Sequence, residues 1–253
     1  MSDGKLAGRV AIVTGGSRGL GQAIAWEFAN EGADVAVVGR DEDALAETVD
    51  GVEQRGGKAV GIAAELRDVA SIPGVFDKAE EALGESTILV NSAGVQGDRP
   101  ALDVTEAQYD EVADTNMKAL FFCCQEAGKR WTERKSGGRI INLGSIFAVV
   151  GMPNFSVYCS TKGGVLLLSK ALAIEWGPHG INVNLIGPCA TMTDMVRPLF
   201  DDPDFKAAYM PRVPAGALPD PLDIGRAAVF LASDDARMIH GHHLLVDSGY
   251  TTN

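Results

Sequence analysis

Tyr158 and Lys162 stand four residues apart, and Ser145 lies thirteen positions before the tyrosine. On a helix, side chains at this spacing share a face, so the lysine ammonium is expected beside the tyrosine phenol. A neighbouring cation favours the ionised form of a phenol, whose pKa in isolation is about 10. The serine hydroxyl is a further hydrogen-bonding group within possible reach. The three residues predict a site that exchanges a proton with a carbonyl or hydroxyl oxygen, although a surface pair of Tyr and Lys at this spacing is also common.

A glycine-rich loop lies near the start of the chain. Residues 9–14 form an apolar, β-branched run typical of a buried parallel strand, and residues 22–30 supply a largely apolar helix surface. Between them the sequence reads Gly-Gly-Ser-Arg-Gly-Leu-Gly. Strand, glycine loop and helix in this order predict a pyrophosphate site, because glycines permit close backbone approach and helix N-termini favour negative charge. The spacing is G-x-x-x-G-x-G rather than G-x-G-x-x-G, and glycine clusters also form plain turns.

Strand-like apolar runs alternate with helical stretches along the chain. The alternation predicts an α/β fold, a Rossmann-like doubly wound three-layer structure with a seven-stranded, mostly parallel sheet. Ligands of such sheets bind beyond the carboxyl ends of the strands, so motifs that follow the strands are expected to meet in one crevice. The predicted strands are residues 10–14, 34–38, 59–63, 88–91, 139–143, 181–186 and 243–246.

The length and composition suit one catalytic domain over residues 1–253, since 46% of the residues are hydrophobic and can form a core. Residues 191–221 are rich in Pro, Asp, Met and Phe and lack periodicity. They predict a lid-like excursion over the crevice, with a plain surface loop as the alternative. The chain shows neither an apolar stretch of eighteen residues nor a signal core, so we expect a cytoplasmic protein with no membrane partner.

The formal net charge of −12 restricts the partners. Binding to nucleic acid or to an anionic membrane depends on neutralising phosphates with Lys and Arg, and this composition disfavours both. The charge also disfavours docking of an acidic carrier protein, which calls for a basic patch. A free small molecule is the expected substrate.

Cysteines and histidines give little sign of a special site. The four cysteines lack C-x-x-C spacing, which predicts reduced thiols. His240 and His242 would share one face of a strand, but no carboxylate or cysteine flanks them at ligand spacing, so we predict no metal site.

Several separated motifs together resemble those of the short-chain dehydrogenase/reductase family, over about residues 6–249. The resemblance implies an oxidoreductase that transfers hydride between a nicotinamide cofactor and a ketone or secondary alcohol. The motifs are Thr14-Gly15-x-x-x-Gly19-x-Gly21, Asn91-Ser92-Ala93-Gly94, Asn116, Ser145, Tyr158-x-x-x-Lys162, and Pro188 through Thr193-Asp194-Met195.

The family pattern implies a role for each catalytic residue. Tyr158 passes a proton to the carbonyl oxygen, and Ser145 hydrogen-bonds that oxygen. Lys162 holds the nicotinamide ribose and lowers the pKa of the phenol. Asn116 supports a water that relays protons, although an Asn inside a helix often makes only a local bond. The cofactor-binding residues implied by the resemblance are Gly15, Ser17, Arg18, Gly19, Leu20, Gly21, Arg40, Glu65, Leu66, Asn91, Ala93, Gly94, Tyr158, Lys162, Pro188, Thr191 and Thr193.

Charge at the end of the second predicted strand bears on the choice of cofactor. NAD is preferred where an acidic residue there accepts hydrogen bonds from the ribose, and this chain has Gly39 instead. Arg40 follows and Arg18 lies in the glycine loop, so two guanidinium groups are available for a 2′-phosphate. NADP is therefore predicted, with NAD as the alternative if Arg40 stacks on adenine or pairs with Asp41 and Asp43.

The substrate remains open at this level. Two departures from the family pattern are Glu65, where Asp is usual, and Cys189, where Gly is usual. A side chain at position 189 would narrow the nicotinamide pocket or alter the hinge of the lid. Three arginines, Arg99, Arg197 and Arg212, would suit a sugar acid instead of an apolar ketone. A homotetramer or dimer is expected from the family, and a non-catalytic cofactor sensor is the alternative of another class. The expected apolar wall for a medium-sized ketone consists of Gln96, Phe147, Met152, Phe155, Met192, Met195 and Phe200.

Overall fold

A parallel sheet of seven strands forms the centre of the computed structural model, which describes residues 4–252. The strand order is β3-β2-β1-β4-β5-β6-β7, and every neighbouring pair is parallel. The predicted sheet is confirmed, with strand ends that differ from prediction by at most two residues. The strands are β1 (Val10–Thr14), β2 (Asp34–Gly39), β3 (Ala59–Ala63), β4 (Ile88–Asn91), β5 (Gly138–Leu143), β6 (Ile181–Pro188) and β7 (His243–Val246).

Helices cover both faces of the sheet. One core joins α1, α2 and α9 to the first face and includes the fully buried Ile24, Phe28 and Ile224. The other joins α3, α5 and α6 to the second face and includes Phe76 and Trp131. The helices are α1 (Gly19–Asn30), α2 (Glu42–Glu53), α3 (Ile72–Leu83), α4 (Glu106–Ala113), α5 (Leu120–Arg134), α6 (Ser156–Trp176), α7 (Arg197–Phe200), α8 (Pro203–Tyr209) and α9 (Pro221–Ala232).

Several helices begin at side chains that cap their first turn. Asp41 accepts the amide of Ala44 at the start of α2. Thr105 and Asp220 form capping boxes before α4 and α9, and Pro221 occupies the first position of α9. Such caps satisfy amides that have no partner within the helix. They fix where the helices begin relative to the strands that precede them.

Two helical features lie close to the predicted catalytic residues. A π-helical turn, Asp114–Ala119, joins α4 to α5 and contains Asn116. Such turns interrupt regular helices and are frequent at functional sites. By length and composition alone, Ser156–His179 is one segment that could cross a membrane, a test that core helices of globular proteins also pass. Here α6 packs on β6 and carries Tyr158 and Lys162.

The segment of residues 191–221 follows β6 and contains α7 and α8. Its aromatic rings form a small core together with residues after β5 and β6 and near the C-terminus. The Tyr209 ring centroid lies 5.3 Å from that of Phe200 and 4.7 Å from that of Tyr250. The segment is thereby anchored to the body of the fold by packed side chains.

Candidate active site

A crevice of about 600 Å³ opens at the carboxyl ends of the strands, on both sides of the switch between β1 and β4. One end is formed by the glycine loop and the residues after β2 and β3. The other end is formed by residues after β5 and β6 and by the 191–221 segment. The lining includes three of the predicted catalytic residues, Ser145, Tyr158 and Lys162. It also includes most of the predicted cofactor-binding residues, namely Gly15, Ser17, Arg18, Gly19, Leu20, Arg40, Glu65, Leu66, Ala93, Gly94, Pro188, Thr191 and Thr193.

The glycine loop has the close backbone approach that a pyrophosphate site requires. Gly15 has φ +63°, and a Cβ at this position would lie 2.6 Å from the Cα of Ala93. A Cβ at Gly21 would lie 2.2 Å from the Gly15 carbonyl oxygen. Among the described residues no side chain caps α1, so its first amides remain available to a phosphate. The residues present therefore fit the diphosphate of a dinucleotide.

Ser145, Tyr158 and Lys162 meet at the middle of the crevice. Tyr158 lies in the first turn of α6, one turn before Lys162, and Ser145 follows β5. The Lys162 ammonium nitrogen lies 5.5 Å from the centroid of the Tyr158 ring and donates to the Leu143 carbonyl at 2.7 Å. The Ser145 hydroxyl accepts the Phe147 amide at 3.1 Å and lines the crevice together with Tyr158. The arrangement can exchange a proton with an oxygen placed between the serine and the tyrosine.

The protonation of these groups differs in one respect from the sequence-based expectation. Burial raises the pKa of Tyr158 to about 12, against a smaller opposite effect of the Ser145 hydrogen bond. Burial also lowers the pKa of Lys162 to about 8. The expected drop in the pKa of the phenol is therefore wrong for this structure, because the lysine is itself desolvated and points to the Leu143 carbonyl. At neutral pH the phenol keeps its proton and is an acid ready to donate.

Asn116 lies behind the crevice rather than in its lining. Its side-chain oxygen accepts the Val95 amide at 2.8 Å, and its side-chain nitrogen donates to the Val95 carbonyl at 2.9 Å. A Cβ at Gly94 would lie 3.3 Å from the Asn116 oxygen and 3.8 Å from the Lys162 ammonium nitrogen. Asn116 thus fixes the strand-to-helix connection that faces Lys162.

Asn91 and Gly21, both predicted to bind cofactor, also lie outside the lining. The Asn91 amide donates to Asn142 at 2.9 Å and lies 3.2 Å from the Cys124 sulfur, and Asn142 donates to Ser169 on α6 at 2.9 Å. The side chain of a strand residue can point to only one face of the sheet, and Asn91 points into the buried layer. Both residues lie beneath the lining, and their contact with a cofactor stays a prediction.

Three arginines line the end of the crevice formed by the glycine loop and the residues after β2 and β3, and each is paired with a carboxylate. Arg18 contacts Asp41 at 2.6 Å, and Arg40 contacts Glu65 at 3.5 Å. The predicted alternative in which Asp41 and Asp43 pair with Arg40 is wrong, because Asp41 caps α2 and turns its other oxygen to Arg18. Sequence reasoning missed the third arginine, Arg67, which bonds Glu65 at 2.8 Å. Its position directly after Glu65 and Leu66, both predicted to bind cofactor, could have indicated that Arg67 also lies at the crevice.

The opposite end of the crevice is mainly apolar. The lining contains five of the seven predicted wall residues and lacks Met152 and Met192. Arg99, Arg197 and Arg212 do not line the crevice, and Arg212 instead stacks over the Tyr250 ring at 4.4 Å. Periodicity gave no signal for the wall residues on the short helices of the 191–221 segment. The wall residues that sequence reasoning missed are Ile146, Val196, Leu199, Phe205 and Tyr209.

Cys189 lies at this apolar end, directly after β6. It is 6% exposed, and burial raises the pKa of its thiol to about 12. The Tyr209 hydroxyl accepts the amide of Ala190 at 2.9 Å, which ties α8 to the end of β6 beside the cysteine. A neutral thiol here occupies space that a glycine would leave open.

The histidines lie away from the crevice. His243 on β7 packs on Gly187, and burial together with His242 and Lys170 lowers the pKa of its imidazole. Within residues 4–252 no group of three or more His, Cys, Asp or Glu is placed to hold a metal ion.

Comparisons with known proteins agree with this geometry. A family model described as Enoyl-(Acyl carrier protein) reductase matches residues 15–251. D-threitol dehydrogenase from Mycolicibacterium smegmatis is 39% identical over 98% of this chain and 95% of its own length. The solved structure of a candidate short-chain alcohol dehydrogenase from Sinorhizobium meliloti has a TM-score of 0.95 and 42% identity over 98% of each chain. The structure of gluconate 5-dehydrogenase from Burkholderia cenocepacia with NADP and tartrate has a TM-score of 0.94 and 30% identity over 99% of this chain and 98% of that one.

The matched model and relatives cover almost the whole chain, and the seven-stranded parallel sheet agrees with the fold of the similar structures. The protein belongs to the short-chain dehydrogenase/reductase family, NAD(P)-dependent oxidoreductases that act on CH–OH groups.

Proposed function

We propose that the protein is an NADP-dependent carbonyl reductase or alcohol dehydrogenase that acts on a small or medium-sized ketone or secondary alcohol. The main observation behind the proposal is that Ser145, Tyr158 and Lys162 line the same crevice, between its apolar end and the glycine loop at residues 15–21, which we call the phosphate cradle. An acid placed between an apolar pocket and a dinucleotide site serves proton transfer coupled to hydride transfer.

Each catalytic side chain has a distinct task in this proposal. Ser145 donates a hydrogen bond to the substrate oxygen and orients it towards the Tyr158 hydroxyl. Tyr158 gives its proton to that oxygen during reduction and removes the proton from the alcohol during oxidation. Lys162 holds positive charge beneath the phenol and binds the nicotinamide ribose. When bound, the reduced nicotinamide supplies the hydride that the carbonyl carbon accepts, so one proton and one hydride convert ketone to alcohol.

Asn116 acts in a supporting role. Its two bonds to Val95 hold the backbone beside Gly94, and Gly94 in turn has both the Asn116 oxygen and the Lys162 ammonium as neighbours. We propose that it supports a water that returns protons towards Lys162. The predicted cofactor-binding residues hold the cofactor, with Asn91 and Gly21 at the floor of the cradle.

Charge at the end of the crevice with the three arginines, which we propose as the adenosine end, supports NADP over NAD. Arg18 and Arg40 line this end, and guanidinium groups bind phosphate through paired, charge-assisted hydrogen bonds. The Burkholderia relative was solved with NADP. NAD use stays the alternative because Asp41 and Glu65 already engage these arginines.

The substrate pocket supports an apolar ketone or secondary alcohol. Its wall carries Phe147, Phe155 and Phe200, and the three loop arginines lie outside it. The net charge of −12 disfavours a substrate carried on an acidic protein. A polyol or sugar acid is the second candidate, favoured by the threitol dehydrogenase and gluconate dehydrogenase relatives.

We further propose that residues 191–221 act as a lid on a single catalytic domain. The segment lines the crevice, and a Cβ at Gly19 would lie 3.4 Å from the Thr193 methyl carbon, so it reaches the glycine loop. Exposed apolar side chains on the π turn, α5 and α6, such as Met117, Phe121 and Leu167, support assembly into a tetramer or dimer. A cytoplasmic location completes the proposal.

A substrate screen with both cofactors tests the proposed activity. The purified protein is assayed by the absorbance of the reduced nicotinamide with apolar ketones, secondary alcohols, polyols and sugar acids. We expect turnover of apolar ketones with NADPH at a higher kcat/KM than with NADH. Turnover of polyols or sugar acids alone would reject the substrate class and leave the reaction type intact. Tight cofactor binding without turnover of any class would favour the non-catalytic sensor.

A further inference from the structure

Arg67 lines the adenosine end of the crevice, yet its side chain is directed at a carboxylate beside it. We propose that Arg67 favours NADP over NAD indirectly, by holding the Glu65 carboxylate so that Arg40 is available to the 2′-phosphate. The inference rests on the proposed NADP dependence. Arg67 is accordingly a positioning residue that acts through Glu65.

Two contacts fix Glu65 to Arg67. The Arg67 Nη2 atom lies 2.8 Å from the Glu65 Oε2 atom, and the Arg67 backbone amide donates to Oε1 at 3.1 Å. The Arg40 Nη1 atom lies 3.5 Å from the same Oε2 atom, at the edge of hydrogen-bond distance. The Glu65 carboxylate therefore makes a closer contact with Arg67 than with Arg40.

The acidic surroundings keep this arrangement charged. Glu65 stays ionised because the Arg67 hydrogen bond lowers its pKa to about 2. Glu111 on α4 and Asp114 in the π turn add negative charge that favours the cationic form of Arg67. Removing the Arg67 charge would leave the Glu65 carboxylate with Arg40 as its nearest cation. The carboxylate would then compete with a phosphate for Arg40 and repel that phosphate.

Arg18 provides a comparison, because its carboxylate partner Asp41 is not shared with a second arginine in the described part of the chain. Arg18 lies 2.6 Å from this carboxylate. Arg40 is also the more exposed side chain, at 68% against 59% for Arg18. Of the two candidate phosphate ligands, Arg40 is the freer, and the Arg67 contact is the reason.

Titration calorimetry with two cofactor fragments tests the proposal without turnover. The ligand 2′,5′-ADP carries the phosphate that distinguishes NADP, and 5′-AMP lacks it. The ratio of their dissociation constants is measured for wild type, Arg67→Gln, Glu65→Gln and the double variant. Any general loss of adenine affinity cancels in the ratio. Arg226→Gln, an exposed arginine on α9 outside the crevice, is the matched control, and circular dichroism checks that each variant is folded.

Because the side chains are partly exposed, the effect is modest. We expect Arg67→Gln to reduce the preference for 2′,5′-ADP by about three- to fivefold, and Glu65→Gln in that background to restore it. Arg226→Gln should leave the ratio unchanged. If Arg67→Gln reduces the preference for 2′,5′-ADP and Glu65→Gln fails to restore it, Arg67 binds the phosphate directly. If Arg67→Gln leaves the preference unchanged, Arg67 does not contribute to it. Either result overturns the proposal. A wild type without preference for 2′,5′-ADP would instead reject the proposed NADP dependence.

Discussion

Substitution of Gly15 by alanine tests the cofactor cradle with a built-in control. Gly15 and Gly8 both have positive φ, +63° and +72°. In this backbone conformation an L-residue destabilises the fold by about 1 to 2 kcal/mol. The two positions differ in space. A Cβ at Gly15 would lie 2.6 Å from backbone atoms of Ala93, whereas a Cβ at Gly8 has no atom within 4 Å. Gly8→Ala therefore measures the conformational cost alone, and Gly15→Ala adds the clash.

The magnitude follows from these contacts. Backbone atoms cannot rotate away as a side chain can, so the Gly15 loop or the Ala93 loop must shift, at about 1 to 3 kcal/mol. Together with the φ penalty, Gly15→Ala should lower the free energy of unfolding by about 2 to 5 kcal/mol. For a chain of this size each kcal/mol lowers Tm by about 2 to 4 °C. A shift that breaks one hydrogen bond to a charged phosphate costs a further 1.5 to 3 kcal/mol of affinity, about tenfold or more in Kd.

Thermal unfolding and fluorescence titration with NADPH and NADH measure these effects. Gly8→Ala should lower Tm by a few degrees and leave both Kd values unchanged. Gly15→Ala should lower Tm further and raise the Kd for both cofactors by at least about tenfold, because the diphosphate is common to them. Wild-type affinity in folded Gly15→Ala would refute the assignment of this loop as the phosphate cradle.

Three other predictions follow from the same structure. Because the pKa of Lys162 is lowered to about 8, its positive charge is lost as pH rises through about 8, and with it the stabilisation of the phenolate that Tyr158 becomes when it donates its proton. Ketone reduction should therefore slow above about pH 8; the kcat/KM profile for reduction checks this, and a flat profile contradicts it. Cys189→Gly should open the apolar pocket and raise the ratio of kcat/KM for a branched ketone to that for a small ketone by about tenfold. Met192→Ala, at a position outside the lining, is the control and should leave this ratio unchanged. An unchanged ratio in Cys189→Gly would show that Cys189 does not limit substrate size. Glu80 accepts from Arg130, Arg134 and Ser86, which hold its pKa near 2, well below its value in the unfolded chain. Its stabilising effect is therefore present above the unfolded pKa and is lost as pH falls through about 2. Glu80→Gln should lower the free energy of unfolding, measured in urea at neutral pH, by about 2 to 3 kcal/mol. The control is Glu81→Gln at an exposed position, and equal stability of the two variants would reject the stabilising role of Glu80.

The sheet was predictable because its signals are local. Short apolar runs between polar or glycine-rich segments predict strands, and β1, β3, β4 and β7 have the predicted bounds. Short motifs also revealed the glycine loop and the Tyr158-Lys162 pair, since helix periodicity alone places residues four apart on one face.

Other features depend on contacts between distant parts of the chain. The direction of the Asn91 side chain, for example, is set by Asn142 and Ser169 across the sheet. The high pKa of Tyr158 arises from burial, which the spacing to Lys162 does not report. Arg67 and the wall residues of α7 and α8 meet the crevice through loop paths that carry no periodic signal.

Replacement of Tyr158 by phenylalanine tests the central claim most directly. The ring packs edge-on against Phe147 and Phe155 at 6.3 Å, contacts that phenylalanine retains, so only the hydroxyl is lost. With an identified ketone and wild-type cofactor affinity confirmed by titration, kcat/KM should fall by about 10² to 10⁴-fold, the usual contribution of a positioned acid. Turnover near the wild-type rate in that folded, cofactor-binding variant would contradict the account.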